Sequence, residues 1–261
     1  VALLPDPGPA FWRLVAARTR RVPLQHLTGT APFRHVELLV GPGVFVPRPE
    51  TELVAGIAID HARRAAPGGG RAPVVVDLGT GSGAIARAVA DEVPHAEVHA
   101  VELDPVAARW AERNLVGTGV RLHRGDLADP ATLPASLRVQ VDVVVSNPPY
   151  IPPDAVPADP EVREHDPALA LYGGGPDGLD AVRAVAATAA VLLRPGGWAV
   201  LEHGERQGEA VAAILGEAGL GDGATHLDLS GRPRCTTGRL PLVAVGGPTI
   251  AGDDGEAGGP G

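Results

Sequence analysis

The sequence predicts an α/β fold: a mainly parallel sheet of seven strands with helices on both faces, preceded by a small helix and a β-hairpin. Three observations carry this. From residue 73 onward, short β-branched runs alternate with longer helical patterns, the order of a parallel sheet wound with crossover helices. Two of those runs, Val74–Leu78 and Val141–Ser146, are apolar apart from one aspartate each and a closing serine in the second, as strands covered on both faces must be. The first leads through Gly79-Thr80-Gly81-Ser82-Gly83 directly into an alanine-rich helix, and such a turn lets the backbone reverse sharply and approach a ligand closely.

Residues 1–9 are Pro-rich and expected to be loose. Residues 11–21 read as a short helix, with Phe11, Leu14, Val15 and Arg18 at helical spacing. The alternation of Phe33, His35, Glu37 and Leu39 predicts a strand, and Val44-Phe45-Val46 its partner, in a hairpin across Gly41-Pro42-Gly43. Thr51–Ala65 is a helix opened by Pro47-Arg48-Pro49-Glu50 and closed before Gly68-Gly69-Gly70. The strand–helix pairs then run Val74–Leu78 with Ala84–Glu92, and Glu97–Glu102 with residues 105–115. Residues 120–124 and Val141–Ser146 supply two more strands, and an irregular segment precedes a helix over 179–193. A strand at 198–202 and a helix Gly208–Glu217 follow, with the last strands expected near 225–229 and 240–245. Residues 246–261, rich in Gly, Asp and Pro without periodicity, read as a disordered tail. The implied division is 1–28, a hairpin linker over 29–48, a main domain over 49–245 and the tail.

Composition narrows the function. Of 261 residues, 44% are hydrophobic and 20% charged, ordinary for a soluble globular chain. The net charge is −9 and all 22 basic residues are arginine, which argues against a broad nucleic-acid surface because such surfaces replace counterions with clustered positive charge. A single cysteine, Cys235, excludes an internal disulfide or a multi-cysteine metal site, and the nine histidines are scattered, so no metal is expected. No stretch is apolar enough to span a bilayer and no signal peptide opens the sequence, so cytoplasm is expected.

The chemistry is concentrated in two turns. Gly79, Gly81 and Gly83 form G-x-G-x-G rather than the dinucleotide spacing G-x-G-x-x-G, and this is the form seen in S-adenosylmethionine-dependent methyltransferases. Glu102 ends the next strand, where a carboxylate accepts both ribose hydroxyl protons and repels a ribose phosphate. Asp126 follows the third strand as a candidate for the adenine amino group, with Leu127 packing on the purine; the alternative is that Asp126 only caps a turn. Asn147-Pro148-Pro149-Tyr150 closes the fourth strand. The Asn side-chain oxygen is an acceptor, and the prolines stiffen the turn while removing backbone donors. A rigid rim of acceptor oxygens beside an aromatic ring suits an NH2 group facing an electrophile such as a bound methyl donor; the bland alternative is a Pro-rich turn after a core strand.

In this order the segments resemble the HemK/PrmC family, the peptide-chain release factor glutamine methyltransferases. The resemblance runs from about residue 21 to 242 and rests on Pro23-Leu24-Gln25-His26-Leu27-Thr28-Gly29, Phe45-Val46-Pro47-Arg48-Pro49-Glu50-Thr51-Glu52, the stretch from Asp77 to Gly83, and that from Ser146 to Ile151. The segments Gly173 to Leu179 and Leu201-Glu202-His203-Gly204 add to it. It implies a seven-stranded Rossmann-like class I methyltransferase sheet with S-adenosyl-L-methionine as cofactor. It further implies methylation of the side-chain amide nitrogen of the glutamine in the Gly-Gly-Gln motif of class I release factors by a monomer. By motif match, Asp77, Gly79, Thr80, Gly81, Ser82, Gly83, Glu102, Asp126, Leu127 and Asn147 contact the cofactor. Asn147 and the Pro148 main-chain carbonyl take the two N–H groups of the glutamine amide, and Pro149 and Tyr150 line its slot. Residues 1–28 then correspond to the end of the family's N-terminal helical bundle, most of which is missing, and His26 stands where a tyrosine is common. A ribosomal-protein glutamine methyltransferase, a nucleic-acid amino methyltransferase acting on adenine or guanine, and a non-catalytic cofactor-binding module are the rival readings.

Overall fold

Five residues of unbroken burial, Val74–Leu78, form the strand around which the large sheet is laid down. The computed structural model describes residues 8–65 and 70–242, so the expected tail over 246–261 lies outside the described residues. Ahead of the large sheet come α1 (Gly8–Thr19) and α2 (Leu24–Thr28), the hairpin β1 (Thr30–Phe33) and β2 (Val36–Leu39), and α3 (Thr51–Ala65). The sheet then begins with β3 (Val74–Leu78), α4 (Ala84–Glu92), β4 (Glu97–Glu102), α5 (Pro105–Asn114), β5 (Arg121–Arg124) and β6 (Val141–Ser146). Two short helices, α6 (Pro160–His165) and α7 (Ala168–Leu171), precede α8 (Asp180–Leu192), β7 (Leu193–Glu202), α9 (Gly208–Glu217), β8 (Thr225–Leu227) and β9 (Pro233–Arg239).

The strand order is β5-β4-β3-β6-β7-β9-β8, parallel except where β9 pairs antiparallel with β7 and β8. The chain therefore winds outward from β3 to β5, returns, and winds the other way from β6. That reversal opens a crevice at the carboxyl ends of β3 and β6, where sheets of this kind bind ligands. Side-chain alternation splits the core into two layers. Val75, Val143, Val145 and Val200 face α3, α4 and the hairpin. Val76, Leu78, Val144 and Leu201 face α8 and α9. Ser146 donates from Oγ to the Leu78 carbonyl at 2.5 Å and pins the two central strand ends together. At the other end Asp142 is buried and accepts from the Val74 N–H at 2.8 Å, Arg71 at 2.7 Å and Arg194 at 2.5 Å.

Three expected elements are corrected. The hairpin does not turn across Gly41-Pro42-Gly43. It turns at Arg34-His35, where Arg34 takes φ 52, and β1 pairs with β2 through Phe33↔Val36. The Arg34 guanidinium repays the unusual backbone by bonding Glu92 at 2.5 and 3.0 Å and the Glu52 carbonyl at 3.0 Å. Val44 and Val46 are fully buried but extend without a partner strand, because Gly41 and Gly43 press the loop onto α5. A Cβ at Gly41 would lie 2.6 Å from the Trp110 ring, and one at Gly43 2.6 Å from Val106. The last strand is Pro233–Arg239 rather than residues 240–245, of which 243–245 lie outside the described residues. Its sequence is polar, yet Cys235, Thr236 and Thr237 are buried, with Thr236 bonded to His203 at 2.8 Å and Thr225 at 2.9 Å. The strand β7 also begins earlier than expected, since Leu193 pairs with Val141 before a register shift at Pro195-Gly196-Gly197. Among the described residues no helix is long and apolar enough to cross a membrane.

Candidate active site

The Gly-rich turn leaves β3 with Gly79, Gly81 and Gly83 at φ 75, 60 and 84, the left-handed region where a side chain is strained. The Gly79 and Thr80 N–H groups both donate to the Val101 carbonyl at 2.9 Å, which ties the turn to the end of β4. A Cβ at Gly81 would meet nothing within 4 Å, so this glycine faces open space. Beyond it α4 starts at Gly83 without a cap from that residue, and the amide of Ala86 in its first turn is taken by Asp77 from beneath at 3.1 Å.

Glu102 closes β4 and is nearly buried. Its carboxylate accepts from the Gly81 N–H at 2.7 Å and the Asp104 N–H at 2.8 Å. Burial pushes its pKa above the usual carboxylate range, while the Asp104 and Gly81 N–H groups pull it down. Each oxygen takes one backbone donor and keeps acceptor capacity for a hydroxyl pair. Asp104 in turn caps α5 through Val106 at 2.5 Å.

One cavity of about 620 Å³ joins the two turns. Gly79, Thr80, Gly81, Ser82, Glu102, Asp126, Leu127, Asn147, Pro149 and Tyr150 all line it. Three expected site residues do not. Asp77 is buried beneath the turn, where it accepts from the Thr80 hydroxyl at 2.6 Å and the Ala86 N–H at 3.1 Å. Burial lifts its carboxyl to about 7, and its second oxygen has no partner among the described residues. Gly83 packs against Leu115, and Pro148 is buried, although no described residue donates to its carbonyl. Asp126 satisfies both of its readings: it lines the cavity, and it caps the turn by accepting from the Ala128 N–H at 2.8 Å.

The Asn147 turn is clamped from outside. Gln207 donates to the Tyr150 carbonyl at 2.9 Å and the Asp177 carbonyl at 3.2 Å, while accepting from the Gly204 N–H. Ile151 pairs with the strand-like segment at Tyr172. Asn147 itself donates from Nδ2 to the Thr51 hydroxyl at 3.2 Å.

Residue patterns alone did not single out Thr51, Glu202, Arg234 or Phe45, which also line the cavity. The signal was present in the segments Phe45 to Glu52 and Leu201 to Gly204, whose place in the molecule was invisible. Glu202 is wholly buried and its carboxyl rises to about 7, against a hydrogen bond from Thr51 and the charge of Arg234. Beside it the Tyr150 phenol is pushed well up by burial and by the Glu202 charge. Arg48, which lines the cavity, bonds Asp166 at 2.5 Å. His203 is structural, bonded to Gly204 and Thr236 and buried.

These features fit a nucleoside-bearing ligand: a glycine cradle leading into a helix start and a carboxylate for hydroxyls in a cavity of ligand size. Comparison with known proteins agrees. Residues 64–158 match the family model described as the methyltransferase small domain. The release factor glutamine methyltransferase of Streptomyces coelicolor is 53% identical over 234 residues, covering 89% of this chain and 81% of that protein. The 4-amino-L-phenylalanine/4-methylamino-L-phenylalanine methyltransferase of Streptomyces pristinaespiralis is 44% identical, covering 90% of this chain and 77% of that protein. Among solved structures, a T. thermophilus 16S rRNA N2 methyltransferase in complex with AdoMet and guanosine shares the fold. Its TM-score is 0.53 at 22% identity, over 80% of this chain and 49% of that one.

Proposed function

The chain belongs to the release factor glutamine methyltransferase family, and we propose that its cavity presents the glutamine amide of a Gly-Gly-Gln motif to a bound methyl donor. It is a methyltransferase that uses S-adenosyl-L-methionine and methylates a glutamine side chain of release factors. The observation that supports the site assignment is that the Gly-rich turn and the Asn147 turn leave adjacent strands and line one cavity.

S-adenosyl-L-methionine, when bound, supplies an electrophilic methyl group on a sulfonium. Gly79 to Ser82 and the start of α4 cradle its amino-acid end, Glu102 accepts from the ribose hydroxyls, and Asp126 with Leu127 receives the adenine. The glutamine amide nitrogen is a poor nucleophile because its lone pair is delocalised. Asn147 Oδ1, on the cavity wall, accepts one N–H of the amide, which favours a pyramidal nitrogen with its lone pair turned toward the donor; the Pro148 carbonyl expected to take the other N–H lies behind that wall. As positive charge grows on the substrate nitrogen, the Asn147 acceptor would tighten. The product nitrogen is strongly acidic and loses its proton without a dedicated base. Tyr150 packs on the amide plane and keeps water out. An enzyme that acts on a translation factor works where translation does, in the cytoplasm, and the net charge of −9 speaks against nucleic acid as its substrate. Residues 49–245 carry the catalysis.

Replacing Glu102 with alanine should weaken cofactor binding roughly 10–100-fold, the span of a lost pair of charge-assisted hydrogen bonds. Calorimetry with a deoxyribose analogue checks it, since the analogue should lose affinity in the parent and little more in Glu102→Ala. The function is tested with labelled methyl donor and purified release factor, ribosomal protein, DNA and 4-amino-L-phenylalanine as competing acceptors, followed by mass mapping. Label on the Gly-Gly-Gln glutamine is expected. Label on another acceptor with none on the release factor overturns it.

A further inference from the structure

We propose that Thr51 and Glu202 are positioning residues that orient the Asn147 side-chain amide, so that its oxygen rather than its NH2 faces the substrate. The proposal rests on the glutamine-amide reading of the site. An asparagine amide has two ends of nearly equal shape and opposite hydrogen-bonding character. Turned the wrong way, Asn147 would set an NH2 against the NH2 of the substrate, donor against donor, and the site would repel what it is meant to hold.

Nothing within the Asn147-Pro148-Pro149-Tyr150 turn fixes the choice. The fixing group comes from elsewhere: Asn147 Nδ2 donates to Thr51 Oγ1 at 3.2 Å, and Thr51 is the first residue of α3, buried at 4% exposure. A hydroxyl is itself ambiguous, since it donates once and also accepts. Glu202 removes that ambiguity. The register Ser146↔Leu201 sets Glu202, the last residue of β7, beside Asn147 at the mouth of the sheet. Burial raises that carboxyl while the Thr51 hydroxyl beside it favours the ionised form, and in that form the carboxylate only accepts. Thr51 therefore spends its proton on Glu202 and offers lone pairs to Asn147, a position only Nδ2 can fill. Two of the segments that carry the family resemblance outside the two turns, around Thr51 and around Glu202, thereby meet behind one amide.

The test uses the full chain with S-adenosyl-L-methionine and release factor. Thr51→Val, which keeps shape and removes the hydroxyl, should lower kcat roughly 30-fold with cofactor Kd unchanged within about twofold, and Thr51→Ser should recover most of the rate. Glu202→Gln, whose amide can donate to Thr51, should fall with Thr51→Val. The decisive comparison is Asn147→Asp, where both terminal atoms are acceptors and orientation no longer matters: adding Thr51→Val to it should cost less than about threefold. An equal loss in both backgrounds, or no rescue by serine, overturns the proposal. A second readout does not depend on the acceptor. The side-chain NH2 protons of Asn147, assigned by their absence in Asn147→Asp, should exchange slowly in the parent and Thr51→Ser and rapidly in Thr51→Val. Unchanged exchange in Thr51→Val overturns the orientation mechanism even if release factor proves not to be the substrate, and loss of methylation on release factor by the parent overturns only the substrate reading.

Discussion

Replacing Asn147 with alanine is expected to lower turnover about 100- to 1000-fold while cofactor affinity stays within about threefold, because one preorganised polar group at a developing charge is worth that much. The side chain stands at the end of β6 on the cavity wall, and its Nδ2 is already engaged with Thr51. What alanine removes is the acceptor that strengthens as the substrate nitrogen becomes positive, and that gain is realised only in the transition state. The cofactor keeps its main contacts at the Gly-rich turn and Glu102, which hang from β3 and β4. Initial rates and calorimetry separate the two quantities. Equal losses in both would contradict the proposed role.

Replacing Gly173 with alanine should abolish measurable activity and destabilise the fold by about 3 kcal/mol or more, although Gly173 touches no reacting atom. A Cβ there would sit 1.9 Å from the Gly178 carbonyl oxygen and 2.5 Å from that of Pro149. These are backbone atoms, so no rotamer change relieves the clash. Retreat is blocked as well, since the Gly173 N–H donates to Ile151 at 3.1 Å and its carbonyl accepts from Ala181 at 2.9 Å. The side that yields is the Pro149–Ile151 backbone, which carries Tyr150. Gly216→Ala is the matched control: it lies in α9 with nothing within 4 Å of a new Cβ, and should be neutral or stabilising by up to about 1 kcal/mol. Thermal melts of the two variants check the contrast, and a Gly173→Ala protein as stable and active as the parent would remove the idea that this glycine shapes the slot.

The elements that sequence alone located are those whose cause is local. The buried strands Val74–Leu78 and Val141–Ser146 announce themselves as apolar runs, and Gly79, Gly81 and Gly83 announce a turn that side chains resist. Asp104-Pro105 marks the start of α5, with a capping carboxylate and a proline where no N–H is needed. The misplaced elements have distant causes. Arg34 holds a left-handed turn because Glu92, far along the chain, neutralises its guanidinium. The strand β9 hides threonine hydroxyls in a core because His203 and Thr225 are there to bond them. The short helices α6 and α7 carry too few residues for a periodic pattern to stand out.

The candidate site divides in the same way. Glu102, Asn147 and the glycines could be assigned from the chain because each sits at a strand end or in a turn, a position that a short window of residues encodes. That Asp77 and Pro148 would lie behind the cavity wall, and that Thr51 and Glu202 would stand behind Asn147, depended on strand register and on how α3 lies across the sheet. Neighbours in sequence set backbone geometry through sterics and single hydrogen bonds, so turns, caps and buried strands are written locally. Which side chains meet across the sheet is set by long-range packing, and only the folded chain brings those partners within bonding distance.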